Sequence, residues 1–166
     1  VTLCYLNRYV SFVSDLLASI EDTNKQFVMT TEVAEWLTGT TQILQSASAQ
    51  IQEGPVSASL QFSTLHKLGT LASEYREKMY QHSGNYSKQT VSISELNALL
   101  SNAKPLITRS IEANYSDSGL YHAYNVLSIN QKSLNVSHLY DMLEGQVAAL
   151  SSGALSPDTA AEIMDT

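Results

Sequence analysis

The sequence predicts an all-α chain of six or seven antiparallel helices. Apolar residues recur at steps of three and four through most of its 166 residues, which places them on one face of a helix. Polar, Gly- or Pro-containing stretches cut that pattern into helix-length pieces. Two of the pieces begin with recognisable caps, at Ser92 and at Ser156.

The first helix spans 3–20, with Leu3, Leu6, Val10, Val13, Leu17 and Ile20 along one face, and the polar stretch 21–26 ends it. A second starts after Thr30 or Thr31, either of which can cap free amides. It follows Val33, Leu37, Leu44, Ala47 and Ile51, with Trp36 and Ile43 alongside, and Gly54-Pro55 closes it. The third runs from about Val56 to Tyr80 on Leu65, Leu68, Ala72, Tyr75 and Met79, and the stretch 82–85 stops it.

Ser92 and Glu95 form a capping box that opens the fourth helix on Leu96, Leu99, Leu100 and Ala103. Pro105 removes a backbone donor and is expected to kink or split that helix before Leu106, Ile107 and Ile111. The stretch 114–135 is irregular, and both short helix and extended chain fit it. Helicity is expected again from about Val136, on Leu139, Met142, Leu143, Val147 and Leu150, until Gly153. Ser156-Pro157, a cap with Pro at the first helical position, launches the last helix through Ala160, Ala161 and Met164. Short connections imply antiparallel neighbours, and the spacing suits a helical-hairpin bundle, a solenoid or an arc of an α/α toroid. We read 1–166 as a single helical domain, and both ends, lying inside apolar helical patterns, as those of a piece of a longer chain.

Charged residues make up 15% of the chain, well below the usual quarter or so, and the net charge is −7. The nine Lys and Arg residues are scattered, whereas a nucleic acid or an anionic membrane calls for a basic stripe. Arg8, Asp15 and Glu35 break the longest apolar runs, against a membrane span. A sparsely charged surface is expected to be covered by more protein, either the remainder of a larger chain or a protein partner. Cys4 is the only cysteine, which excludes an internal disulfide and reads as a buried small hydrophobe. The four histidines are far apart and none has a second His at a helical ligand spacing. No Gly-rich phosphate loop or zinc-hydrolase motif is present, so neither a metal nor a cofactor is expected.

The stretch from Tyr115 to Asn125 is the densest in binding chemistry. It gathers Tyr115, Tyr121, His122, Tyr124 and Asn125. Rings can cover the C–H faces of a sugar while amide, imidazole and phenol groups meet its hydroxyls. The competing structural reading has these rings buried at helix ends. Asp141 and Glu144, three residues apart, are expected on one helix face, able to work as acid and base, to bind hydroxyls or simply to face water. Gly145 inside that helix points to close approach of another helix or a ligand. Trp36 with Glu32 and Glu35 is a weaker candidate, since a lone Trp at helical spacing usually packs in a core.

Two segments, 119–125 (Gly-Leu-Tyr-His-Ala-Tyr-Asn) and 139–147 (Leu-Tyr-Asp-Met-Leu-Glu-Gly-Gln-Val), are followed by 150–153 (Leu-Ser-Ser-Gly). Over 115–166 the chain resembles large bacterial proteins related to carbohydrate-active enzymes, with the six-hairpin α/α toroid of several glycoside hydrolases and sugar phosphorylases. The resemblance implies that the chain is an arc of such a ring and that Tyr121, His122, Tyr124 and Asn125 lie nearest a sugar cleft. A closed ring needs more hairpins than this chain holds, and no catalytic residue carries over. Two functional expectations follow. One is a helical portion of a carbohydrate-active protein that contacts an oligosaccharide, with Asp141 and Glu144 as further contacts. The other is a non-enzymatic helical protein-interaction module.

Overall fold

A computed structural model describes residues 1–52, 56–81, 84, 86–130 and 133–165. In chain order the elements are α1 (Thr2–Ala18), β1 (Gln26–Thr30), α2 (Thr31–Gln52), α3 (Ala58–Gln81), β2 (Lys88–Ser92), α4 (Ile93–Glu112), β3 (Asn125–Asn130), β4 (Ser133–His138), α5 (Leu143–Ser151) and α6 (Pro157–Asp165).

The expected all-α class is therefore wrong. The described residues form six helices and two small antiparallel sheets, β1 with β2 and β3 with β4. Phe27-Val28-Met29-Thr30 and Thr90-Val91-Ser92 are too short to make a stable helix but rich enough in β-branched side chains to form a ribbon. Their register runs from Gln26 opposite Ser92 to Thr30 opposite Lys88. The Thr31 amide donates to the Ser87 carbonyl at 3.0 Å and the Ile93 amide to Lys25 at 3.2 Å, so the pairing continues into the first residues of α2 and α4. The bundle and the toroid arc fall with the all-α class. Both need successive helix hairpins, whereas here strands lie between α1 and α2, between α3 and α4, and between α4 and α5.

The helices before residue 112 otherwise follow the apolar pattern. α1, α2 and α3 lie close to their expected bounds, while the expected stops at Gly54-Pro55 and at 82, 83 and 85 lie outside the described residues. The capping box is present in full: the Glu95 amide donates to Ser92 Oγ at 3.2 Å and the Ser92 amide to Glu95 Oε2 at 2.8 Å. The Ser92 amide and, at 2.7 Å, the Ser92 hydroxyl both donate to Glu95 Oε2, and these two bonds hold the Glu95 carboxyl below the usual carboxylate range. Pro105 does not split α4, which is continuous from Ile93 to Glu112. One missing intrahelical hydrogen bond is outweighed by the packing of α4 against both α1 and α2.

The largest correction falls after residue 114. The extended alternative holds there, and the helix expected from Val136 begins only at Leu143. Leu134, Val136 and their neighbours pair as a hairpin with 125–130, in a register from Asn125 opposite His138 to Asn130 opposite Ser133. Leu139 and Met142, counted as helical, lie in the connection to α5. Gly153 (φ +72°) follows α5, and Ser156 Oγ accepts from the Thr159 amide at 3.1 Å to cap α6, both as the sequence predicts.

Two apolar clusters hold the elements. Ala34, Leu37 and Val91 pack under the β1–β2 ribbon with Met29, Leu96 and Leu99. Cys4, Val10, Ile107, Ile111, Tyr121, Ala148, Ala149 and Ile163 join α1, α4, α5 and α6. Burial pushes the Cys4 thiol up, in keeping with an inert packing role. Within that second region Asn7 is buried on α1 and donates to the Ser152 carbonyl at 3.0 Å, tying α1 to the end of α5. β4 lies against α3, with Leu134 buried. Among the described residues no helix is long and apolar enough to cross a membrane.

Candidate functional site

The irregular stretch after α4 is closed on itself by backbone pairing. Tyr115 and Tyr121 form an isolated bridge, the Ser116 amide donates to Leu120 at 2.9 Å, and the His122 amide donates to Asn114 at 2.9 Å. α5 then clamps the result. Gln146, buried, accepts from the Tyr121 amide and donates to the Tyr121 carbonyl, both at 2.8 Å, and so mimics a paired strand. Gly145 makes room for this contact, because a Cβ there would stand 2.8 Å from the Tyr121 carbonyl oxygen and 3.1 Å from Ala123 Cβ. The neighbour that comes close to Gly145 is the non-helical segment 121–123, not the second helix that the sequence leads us to expect.

This scaffold lines up a row of polar side chains. Asn125 Nδ2 donates to Asn114 Oδ1 at 2.9 Å, and Asn125 Oδ1 lies 2.8 Å from His138 Nδ1. An amide oxygen can only accept, so His138 carries its proton on Nδ1 there. The His138 ring stacks on His122, with centroids 4.0 Å apart and planes 5° from parallel. On the far side, buried His122 Nδ1 is 3.4 Å from Asp141 Oδ1, an ion-pair distance without hydrogen-bond geometry. Ser118 Oγ donates to Asp141 Oδ2 at 3.0 Å. Partial burial, together with the neighbouring His122, holds the His138 imidazole below its ordinary value.

Of the expected site residues, the fold brings His122, Asn125 and Asp141 into one row. Tyr121 is a core residue, buried with its ring 5.0 Å from that of Tyr115. Burial also raises its phenol. Tyr124 is exposed and adjoins the row through Asn125, and Tyr140 is exposed next to Asp141. Glu144 does not share a helix face with Asp141, which precedes α5; it sits exposed in that helix's first turn. The row also recruits Asn114, Ser118 and His138. The strand-like alternation of 133–138 is the one sequence signal for a strand carrying His138; its place opposite Asn125 comes from the ladder register.

A cavity of about 220 Å³ opens beside the row, lined among others by Val1, Ile111, Tyr121, His122, Tyr124 and Asn125. A second, apolar hollow of about 420 Å³ lies between α5 and α6, with Leu143, Val147 and Met164 on its walls. Among the described residues no hydroxyl or thiol is hydrogen-bonded to either imidazole, and no three His, Cys, Asp or Glu side chains converge on a point where a metal ion fits. The weaker Trp36 candidate is half-exposed, its ring 5.6 Å from Tyr75.

No protein-family model matches the chain, and no curated protein matches it.

Proposed function

We propose that this chain is a helical protein-interaction module, and that the outer face of α1 is its contact surface. One observation carries the reading. α1 is apolar on two opposite faces: Cys4, Val10 and Leu17 are in the core, while Tyr5, Tyr9, Phe12 and Leu16 stand 50%, 63%, 63% and 53% exposed. A helix that is hydrophobic all round is normally buried all round, and contiguous apolar surface of this kind marks contact with other protein. The low charge fraction of the chain agrees with a surface meant to be covered.

Thiol labelling tests this. Tyr9→Cys and Phe12→Cys are alkylated in dilute solution, with buried Cys4 of the same helix as an internal slow standard. The introduced thiols are expected to react nearly as fast as in urea. If they react as slowly as Cys4 while the chain is monomeric, its own structure covers the face and the reading fails.

A second reading keeps the carbohydrate expectation. Exposed Tyr124 lines the same cavity as His122 and Asn125, beside the Asn125–His138–His122–Asp141 row, and a ring next to such hydrogen-bonding groups suits an oligosaccharide. A ligand of the folded state raises its melting point, so oligosaccharides are expected to stabilise the chain, and Tyr124→Ala to abolish the effect. Stabilisation by no oligosaccharide, or stabilisation that survives Tyr124→Ala, removes this reading.

A further inference from the structure

Resting on the interaction reading, we infer that the partner of the α1 face is a second copy of this chain, packed antiparallel along α1. Tyr5, Tyr9, Phe12 and Leu16 follow one another at steps of four, three and four, which is the seam of a two-stranded coiled coil. Leu6 and Val13, next to Tyr5 and Phe12, widen the seam on one side. On the other side stand Arg8 and Asp15, the only charged residues of α1, each immediately before a seam residue.

That placement selects both the partner and its direction. Arg8 and Asp15 are both exposed, and neither forms an ion pair with another described residue. They are two helical turns apart, about 10 Å, too far to pair with each other. In an antiparallel pair of copies Tyr9 meets the partner's Phe12 and Tyr5 meets the partner's Leu16. The residues flanking the same edge then face one another, so Arg8 lies beside the partner's Asp15, and twofold symmetry makes the pair twice. A parallel pair sets Arg8 beside the partner's Val13 and leaves both charges unmatched. One copy thus carries both halves of a complementary charge pattern around a self-complementary apolar seam. Because α1 is already folded on its own scaffold, association need not supply the cost of forming the helix.

Sedimentation equilibrium of the whole chain, from low micromolar to near-millimolar concentration, tests the inference. Wild type is expected to dimerise reversibly and Phe12→Lys to stay monomeric with an unchanged circular dichroism spectrum. Arg8→Asp and Asp15→Arg are each expected to weaken the dimer by roughly tenfold or more, since each sets like charges together twice. Mixing these two variants should restore wild-type affinity, because every charge then meets its opposite. Fast labelling at position 9 with a wild type that stays monomeric throughout overturns the second copy as partner but leaves the interaction reading standing. Slow labelling in the monomer overturns both. A dimer whose affinity ignores the charge variants and their mixture overturns the antiparallel seam.

Discussion

The imidazole rings of His122 and His138, from segments joined only through the β3–β4 hairpin and its flanks, lie parallel with their centroids 4.0 Å apart. The contact joins two polar groups that would otherwise be separate: Asn125 and Asn114 on the His138 side, Asp141 and Ser118 on the His122 side. Two stacked imidazoles tolerate one positive charge far better than two.

His138 therefore gives the fold a dependence on pH. Its imidazole titrates lower in the folded chain than the ordinary value near 6.5, so between the two values the unfolded chain binds more protons. Stability is complete above about 6.5, falls as pH drops through the interval, and levels off below the folded value. Urea unfolding from pH 8 to 5.5 should show this loss, and His138→Gln should flatten it. An unchanged slope in the variant would assign the dependence elsewhere. The Glu95 contribution has the opposite origin, a depressed carboxyl, and is lost only in the acid range below about 4.3.

Two helical glycines should respond differently to alanine. At Gly145 the new Cβ meets the Tyr121 carbonyl at 2.8 Å, backbone held by Gln146, so it cannot yield without moving the strand-like segment. Gly145→Ala should destabilise by about 1–3 kcal/mol, more than the roughly 1 kcal/mol of helix propensity it gains. At Gly39 the obstacle is the tip of Leu71 at 2.9 Å, a side chain that can change rotamer. Gly39→Ala should stay within about 1 kcal/mol of wild type. Equal effects at the two sites, in chemical denaturation, would contradict this account of Gly145.

Loss of the capping box should cost stability without altering the fold. Ser92→Ala removes the acceptor of the Glu95 amide and is expected to lower stability by about 0.5–2 kcal/mol. Because Ser92 also closes the β1–β2 ribbon, amide exchange should speed up at the start of α4 and in β1 together. Faster exchange in α4 alone would mean that the ribbon and the helix are not coupled.

Features that depend on nearest neighbours along the chain were legible before any fold was known. The capping box at Ser92, the Ser156-Pro157 start, the stop at Gly153 and the bodies of α1, α2 and α3 all follow from local hydrogen bonding, proline geometry and a helical apolar period. The sequence also marked Gly145 as a place of close approach, though not which segment approaches. The rest depends on contacts between segments distant along the chain. Segments 26–30 and 88–92 carry β-branched residues, but each becomes a strand because the other supplies its hydrogen bonds from far along the chain. Segment 133–138 does alternate like a strand, but Val136, Leu139 and Met142 also fit a helical period, which the backbone does not follow. Tyr121 and Tyr124 look alike as residue types, yet one is clamped in the core by Gln146 and the other faces solvent. His138 joined the polar row only when the hairpin brought it opposite Asn125, for a ladder partner is set by register, and register is a property of the folded pair.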